Sequence, residues 1–165
     1  MAIALFVGRF QPFHNGHLWA VTNIFKSHHK LVIGIGSSQE HGTVVNPFSA
    51  KERKEMIKEA LEKAGIGDYV IFFIPDMQGD CRWVEHIEDI VPHFDVVYTG
   101  SPLSKKLFTE KGYMVKSLER YMDISASEVR LRISKGLEWK HLVPKSVAQI
   151  IAQLGAVERI KKLSS

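Results

Sequence analysis

The run Gly8-Arg9-Phe10-Gln11-Pro12-Phe13-His14-Asn15-Gly16-His17 concentrates residues able to hold a phosphate group. Gly8 lets the backbone turn where a ligand must come close, and Arg9 offers a fork of donors to phosphate oxygens. His14 and His17 stand three apart at a helix start, where free N–H groups favour an anion, so both can face one phosphate. Gly16 between them removes a side chain where a flat base or a ribose could lie against the backbone. An arbitrary histidine pair at this spacing is read as polar surface residues, and a metal site lacks a third ligand at familiar spacing. The whole string, in a strand-to-helix turn, is far more specific than the pair.

A second run, Ile124-Ser125-Ala126-Ser127-Glu128-Val129-Arg130, opens another expected helix. Ser125 and Glu128 have the spacing of a Ser-x-x-Glu capping box, which would account for both residues structurally. A capped helix start carrying hydroxyls and Arg130 in its first turns is also an anion site, so the two readings are compatible. Ser49-Ala50-Lys51-Glu52 has the same pattern and is read as a structural cap.

These segments need a scaffold. Apolar runs rich in β-branched residues at Ile3–Val7, Leu31–Ile35, Val70–Ile74 and Asp95–Thr99 read as buried strands, with a weaker fifth at Tyr113–Lys116. Between them, 17–26, 50–64, 83–91 and 103–111 read as amphipathic helices. Such alternation is the mark of an α/β fold, a parallel five-stranded sheet with helices on both faces. Helices over 125–135 and 144–154 follow without further strands. The expectation is one domain over 1–165, with an α/β core to about residue 122 and a small helical C-terminal unit from about 123 to 165. Ligands bind beyond the carboxyl ends of strands in open α/β sheets, which directs attention to the segments after Val7, Ile35, Ile74 and Thr99.

Composition narrows the class. Apolar residues at 45% and charged residues at 24% suit a folded globular chain of 165 residues. No apolar run reaches the roughly 18 residues needed to span a bilayer, and Met1 to Val7 lacks signal-peptide character, so no membrane role and a cytoplasmic location are expected. A single cysteine, Cys81, agrees with a reducing compartment and reads as incidental. The net charge of +4 is modest and scattered, so nucleic acid is not an expected partner. The cluster Arg159-Ile160-Lys161-Lys162 reads as a solvated tail.

The string His14-Asn15-Gly16-His17 resembles the His-x-Gly-His motif of a nucleotidyltransferase superfamily, and Gly8 to Leu18 resembles its archaeal-type nicotinamide-nucleotide adenylyltransferases in particular. Ile124 to Arg130 is similar to their Ile-Ser-x-Ser/Thr-x-x-Arg string, and the likeness runs from Val7 to about Leu163. The resemblance implies a Rossmann-like sheet and adenylyl transfer from ATP to nicotinamide mononucleotide, giving NAD and pyrophosphate. Nicotinic acid mononucleotide is a further acceptor to test. It implies that Arg9, His14, His17 and Arg130 act in catalysis, and that Gly8, Phe10, Gly16, Gly100, Ser125 and Ser127 join them in binding ATP. It assigns Phe13, Ser37, Ser38, Asn46, Asp76 and Trp83 to the mononucleotide, although Trp83 read alone is an ordinary packing aromatic. Asp80 competes with Asp76 for the acidic position. In Gly100-Ser101-Pro102, serine replaces the usual asparagine of a Gly-Asn-Pro turn, and His41 carries no catalytic assignment. Mg2+ bridging ATP phosphates, with no direct protein ligand, and a homo-oligomer, often a hexamer among relatives, complete the expectation. The rival readings are nucleotidyl transfer to another phosphorylated acceptor such as phosphopantetheine, and a nucleotide-binding regulator without turnover.

Overall fold

The apolar runs are strands in this computed structural model, which describes residues 2–118 and 121–165. In chain order the elements are β1 (Ile3–Gly8), α1 (Asn15–Ile24), β2 (Lys30–Ile35), α2 (Ala50–Lys63), β3 (Tyr69–Phe73), α3 (Trp83–Ile90), β4 (Val96–Thr99), α4 (Pro102–Glu110) and β5 (Met114–Ser117). Then come α5 (Ala126–Ser134), a 3-10 turn at Lys140–Leu142, α6 (Lys145–Gln153) and α7 (Ala156–Ser164). The fold is the expected α/β class. The chain forms two compact units.

The first unit holds the described residues of Met1–Arg9, Val21–Ser38 and Asp68–Glu119, and therefore the whole sheet. All four strand pairings are parallel, in the order β3-β2-β1-β4-β5. Register aligns Val70, Val32, Leu5, Val97 and Val115 across one face. On this row pack Val84 and Ile87 of α3 and Phe108 of α4. Each such fully buried side chain contributes about 1.5–3 kcal/mol. The opposite face, with Ala4, Phe6, Leu31, Ile33 and Ile35, is equally buried, and the end of α1 with Val21 and Ile24 belongs to the same unit. Strands buried on both faces have no polar side to alternate with, which is why they read as continuous apolar runs. The direction of strand addition reverses between β1 and β4, so the sheet's switch point lies beyond Gly8 and Thr99.

The second unit comprises the described residues of Phe10–Ala20, Gln39–Gly67 and Arg120–Ser165. Here α2 packs on α6, and α7 packs on both α5 and α6. The C-terminal helices thus share a unit with α2 and the start of α1. The basic cluster at 159–162 is not the solvated tail expected of it. It lies in α7, with Ile160 buried at 2% exposure and Arg159 paired to Glu52. Gly155, at φ 64, makes the left-handed turn between α6 and α7.

The start of α2 shows why Arg159 is drawn in. Ser49 Oγ accepts from Glu52 N at 3.2 Å and Ser49 N donates to Glu52 Oε1 at 2.8 Å, the full reciprocal box expected there. The same carboxylate receives Arg159 through both of its oxygens, at 2.8 and 2.9 Å, and Arg159 Nη1 also donates to Pro47 O. Burial pushes the Glu52 carboxyl up, but the Arg159 guanidinium and the Ser49 N–H outweigh it and hold the pKa below its usual value. A depressed carboxyl pKa adds stability above the unfolded value near 4.5, and loses it as pH falls through the folded one. Glu52→Gln should therefore destabilise the chain by about 1–2 kcal/mol at pH 7. Urea unfolding at pH 7 and pH 3.5 should show that difference closing in acid.

Candidate functional site

The helix α1 opens with N–H groups that have no carbonyl one turn back, and the two motif histidines satisfy them. His14 Nδ1 accepts from Gly16 N at 3.1 Å and His17 N at 3.3 Å, while His14 N donates to His17 Nδ1 at 3.1 Å. This is a reciprocal capping box built from imidazoles instead of a hydroxyl and a carboxylate. A backbone N–H can only donate, so both Nδ1 atoms are acceptors and the proton of each neutral ring sits on Nε2. The rings stack at 3.6 Å between centroids, tilted by 22°. Burial lowers the His14 pKa to about 4, and burial followed by the neighbouring His14 lowers that of His17 well below its ordinary value. The result is a pair of uncharged N–H donors. His14 Nε2 has no acceptor among the described residues.

Gly16 is needed first by this arrangement. A Cβ there would stand 2.9 Å from His14 Cε1 and 3.0 Å from Nδ1, so the ring occupies the space that the missing side chain leaves. Phe10 and Phe13 are buried and flank His17, Phe13 stacked on it at 5.4 Å and Phe10 edge-on at 4.8 Å. Phe13, expected at the mononucleotide, has no exposed surface in this structure, and its ring packs on His17. Phe10 holds a left-handed backbone at φ 56, a conformation rare for an aromatic residue that costs about 1–3 kcal/mol.

The second motif meets the first within the same unit. Arg130 Nη1 donates to Gln11 O at 2.9 Å and Nη2 to Ser127 Oγ at 3.3 Å. Ser125 caps α5 by accepting from Glu128 N at 3.1 Å, but the expected capping box is only half made. The Glu128 carboxylate instead takes Arg132 Nε at 2.8 Å, an i,i+4 pair that competes for the same oxygens. Two residues without a sequence assignment hold the neighbouring loop. Gln11, 1% exposed, donates through Nε2 to Phe48 O at 2.8 Å and accepts from Phe48 N at 2.9 Å. Arg53, fully buried, donates to Ser49 O and Glu40 O. Their signal was a polar residue inside an apolar string, Phe-Gln-Pro-Phe, and an arginine on the apolar side of α2. Asn46, between these anchors, is buried with its Oδ1 unpaired among the described residues.

In the first unit, Gly8 closes β1 and accepts from Gly36 N at 2.8 Å, and exposed Arg9 follows it. Beyond β2, Ser37 adopts φ 46 and its Oγ donates to Asp76 Oδ1 at 3.1 Å, while Ser38 N bonds Ile74 O. Of the two acidic candidates, Asp76 is the one joined to the serine pair. Trp83 begins α3 with an edge-to-face contact on Phe108 at 5.6 Å, so part of its ring belongs to the sheet's core. Gly100 is exposed, and a Cβ there would meet nothing within 4 Å. Ser101, in place of the family's asparagine, caps α4 by accepting from Ser104 N. Among the described residues no group of three or more His, Cys, Asp or Glu could hold a metal ion, and no helix is long and apolar enough to cross a membrane.

Comparison with known proteins adds independent lines. The profile of the cytidylyltransferase-like family matches residues 5–132. A nicotinamide-nucleotide adenylyltransferase from Thermococcus sibiricus is 45% identical over 165 residues, covering 98% of this chain and 89% of the relative. One of the same name from Pyrococcus furiosus is 42% identical over 170 residues, covering 100% and 90%. Among solved structures, a bifunctional NMN adenylyltransferase/ADP ribose pyrophosphatase from Francisella tularensis, complexed with AMP and a manganese ion, superposes with a TM-score of 0.77 at 25% identity. The match covers 99% of this chain, which spans about half of that larger protein, 52% of its length. The family match over residues 5–132 and the near full-length relatives agree: this chain belongs to the cytidylyltransferase-like nucleotidyltransferases, among the nicotinamide-nucleotide adenylyltransferases.

Proposed function

We propose that this chain transfers the adenylyl group of ATP to nicotinamide mononucleotide, forming NAD and releasing pyrophosphate. The observation that carries the reading is the imidazole pair at the start of α1, two neutral donors whose Nε2–H tautomers are imposed by the backbone. In the reaction a phosphate oxygen of the mononucleotide attacks the α-phosphorus. A P–O bond forms there, and the bond to the bridging oxygen breaks as pyrophosphate departs with its electron pair. A phosphate monoester has its second pKa near ~6, so the nucleophile is already ionised at neutral pH and no protein base is required. Catalysis then consists of alignment and of neutralising charge as it moves onto the leaving group.

His14, His17, Arg9 and Arg130 are the donors assigned to that charge, with the hydroxyls of Ser125 and Ser127 at the start of α5 as further phosphate contacts. Gly8 and Gly100 are assigned to leave room for the nucleotide backbone and adenosine, Gly16 to make room for the His14 ring, and buried Phe10 acts by holding His17. Ser37, Ser38, Asp76, Asn46 and the remaining face of Trp83 are assigned to the mononucleotide. A divalent cation, Mg2+ by preference, would be held mainly by oxygens of the triphosphate, since Mg2+ commonly keeps waters and binds through substrate phosphates. When bound it would offset phosphate charge. Homo-oligomeric assembly and a cytoplasmic location, supported by the family resemblance and by the lone Cys81, belong to the same proposal.

Three measurements bear on the reading. Pyrophosphate release from ATP and Mg2+ should be fast with nicotinamide mononucleotide, ranked against nicotinic acid mononucleotide, phosphopantetheine and no acceptor. Turnover with phosphopantetheine alone would move the chain to another substrate class, and silence throughout would make it a binder. His17→Ala should lower kcat about a hundred- to thousandfold with the circular dichroism of the fold retained, and near-normal turnover would remove His17 from the site. The cap also has a pH signature. The unfolded state takes up a proton on His14 near pH 6.5, whereas the folded ring stays neutral until about pH 4. Stability of the ligand-free chain should therefore fall between those values, by about 3 kcal/mol for this group when complete. His14→Gln, followed by thermal unfolding across that range, should remove the His14 share of the dependence and leave that of His17.

A further inference from the structure

Gln11 is buried at 1% exposure between two phenylalanines of the first motif, and every polar atom of its side chain is committed. Its amide donates to the carbonyl of Phe48 and accepts from the N–H of the same residue, at 2.8 and 2.9 Å. Among side chains in their usual state at neutral pH, a primary amide is the one that can make both of these bonds to one residue in a single plane. The clamp joins segments 37 residues apart and fixes the roll of the Gln11 backbone. That roll matters because Gln11 O is the acceptor for Arg130 Nη1 at 2.9 Å, across 119 residues of chain. With Nη2 on Ser127 Oγ, the guanidinium is held at two corners, one of them set by Gln11.

We infer that Gln11 is a positioning residue for the transfer reaction, which uses the Phe48 backbone as its reference and delivers Arg130 in the orientation that receives phosphate charge. The inference rests on the adenylyl-transfer reading for its role in turnover. Its geometry is separate, because three hydrogen bonds through one residue tie the histidine loop, the loop before α2 and the arginine of α5 together. An uncommitted apolar residue at position 11 could fill the same volume, yet it would leave Phe48 N and O buried without partners and let the peptide bearing the Arg130 acceptor rotate. A displacement of about 1 Å in a charge-stabilising group can cost about a hundredfold in rate.

A double-mutant cycle tests this. Gln11→Leu, Arg130→Ala and the double variant are compared with the unsubstituted chain for kcat, for KM of ATP and for the calorimetric affinity of ATP. Gln11→Leu should lower kcat by about ten- to a hundredfold, and should cost less than about threefold further once Arg130 is already alanine, because residues acting through one another are not additive. Losses that multiply, or a Gln11→Leu protein with unaltered kcat, would overturn the proposal by reducing Gln11 to packing alone. Gln11→Glu covers the case in which leucine prevents folding. A protonated carboxyl has the donor and acceptor of the amide, whereas an ionised one sets a negative oxygen against Phe48 O. Its rate relative to the unsubstituted chain should therefore recover as pH falls from 8 to 6, and a flat ratio would count against the clamp. If the unsubstituted chain makes no NAD, the functional reading has failed. The same non-additivity in ATP affinity still decides whether Gln11 orients Arg130.

Discussion

A helix buried at its start must find acceptors for its first N–H groups, and in α1 those acceptors are the Nδ1 atoms of His14 and His17. Much else follows from that demand. The rings must be neutral, since a proton on Nδ1 would destroy the cap, and two cations 3.6 Å apart in a buried place would repel. Their Nε2–H bonds must point away from the helix start. Gly16 must lack a side chain, and Phe10 and Phe13 must wall the second ring. A capping device worth about 1 kcal/mol in an ordinary helix here also fixes the protonation state of two functional groups.

The capping logic recurs with different chemistry at three other helix starts, those of α2, α4 and α5. Ser49 and Glu52 complete a box whose carboxylate has an oxygen to spare for each arm of Arg159. Ser125 caps α5 alone because Glu128 is spent on Arg132, and Ser101 caps α4 where relatives of the motif carry asparagine. The two Ser-x-x-Glu sites show that one four-residue pattern has different outcomes according to which arginine stands within reach of its glutamate.

That competition explains where sequence reading succeeded and stopped. The five strands were legible because burial on both faces leaves an unbroken apolar signature, and the two motif strings because their residue types are improbable together in a single turn. The half-made box at Ser125 was not, since nothing in Ser-x-x-Glu says whether the glutamate has a better partner. Nor was α7. Its charged residues are as numerous as its apolar ones, and Arg159 looks solvated until Glu52, over a hundred positions earlier, is placed beside it. Gln11 had no role of its own in the sequence, and only its burial and its bonds to Phe48 show it as an anchor. Depth below the surface is not encoded by spacing along a chain.

The pairing of Arg159 with Glu52 and Pro47 has a consequence for the order of events during synthesis. A nascent chain emerges from its amino end, and early segments organise first. The sheet strands, the histidine cap and the Gln11 clamp on Phe48 draw on residues translated well before 159. The bonds of Arg159 to Pro47 O and Glu52 can form only once nearly the whole chain has been made, so a ribosome that stops short leaves the box at the start of α2 without its arginine.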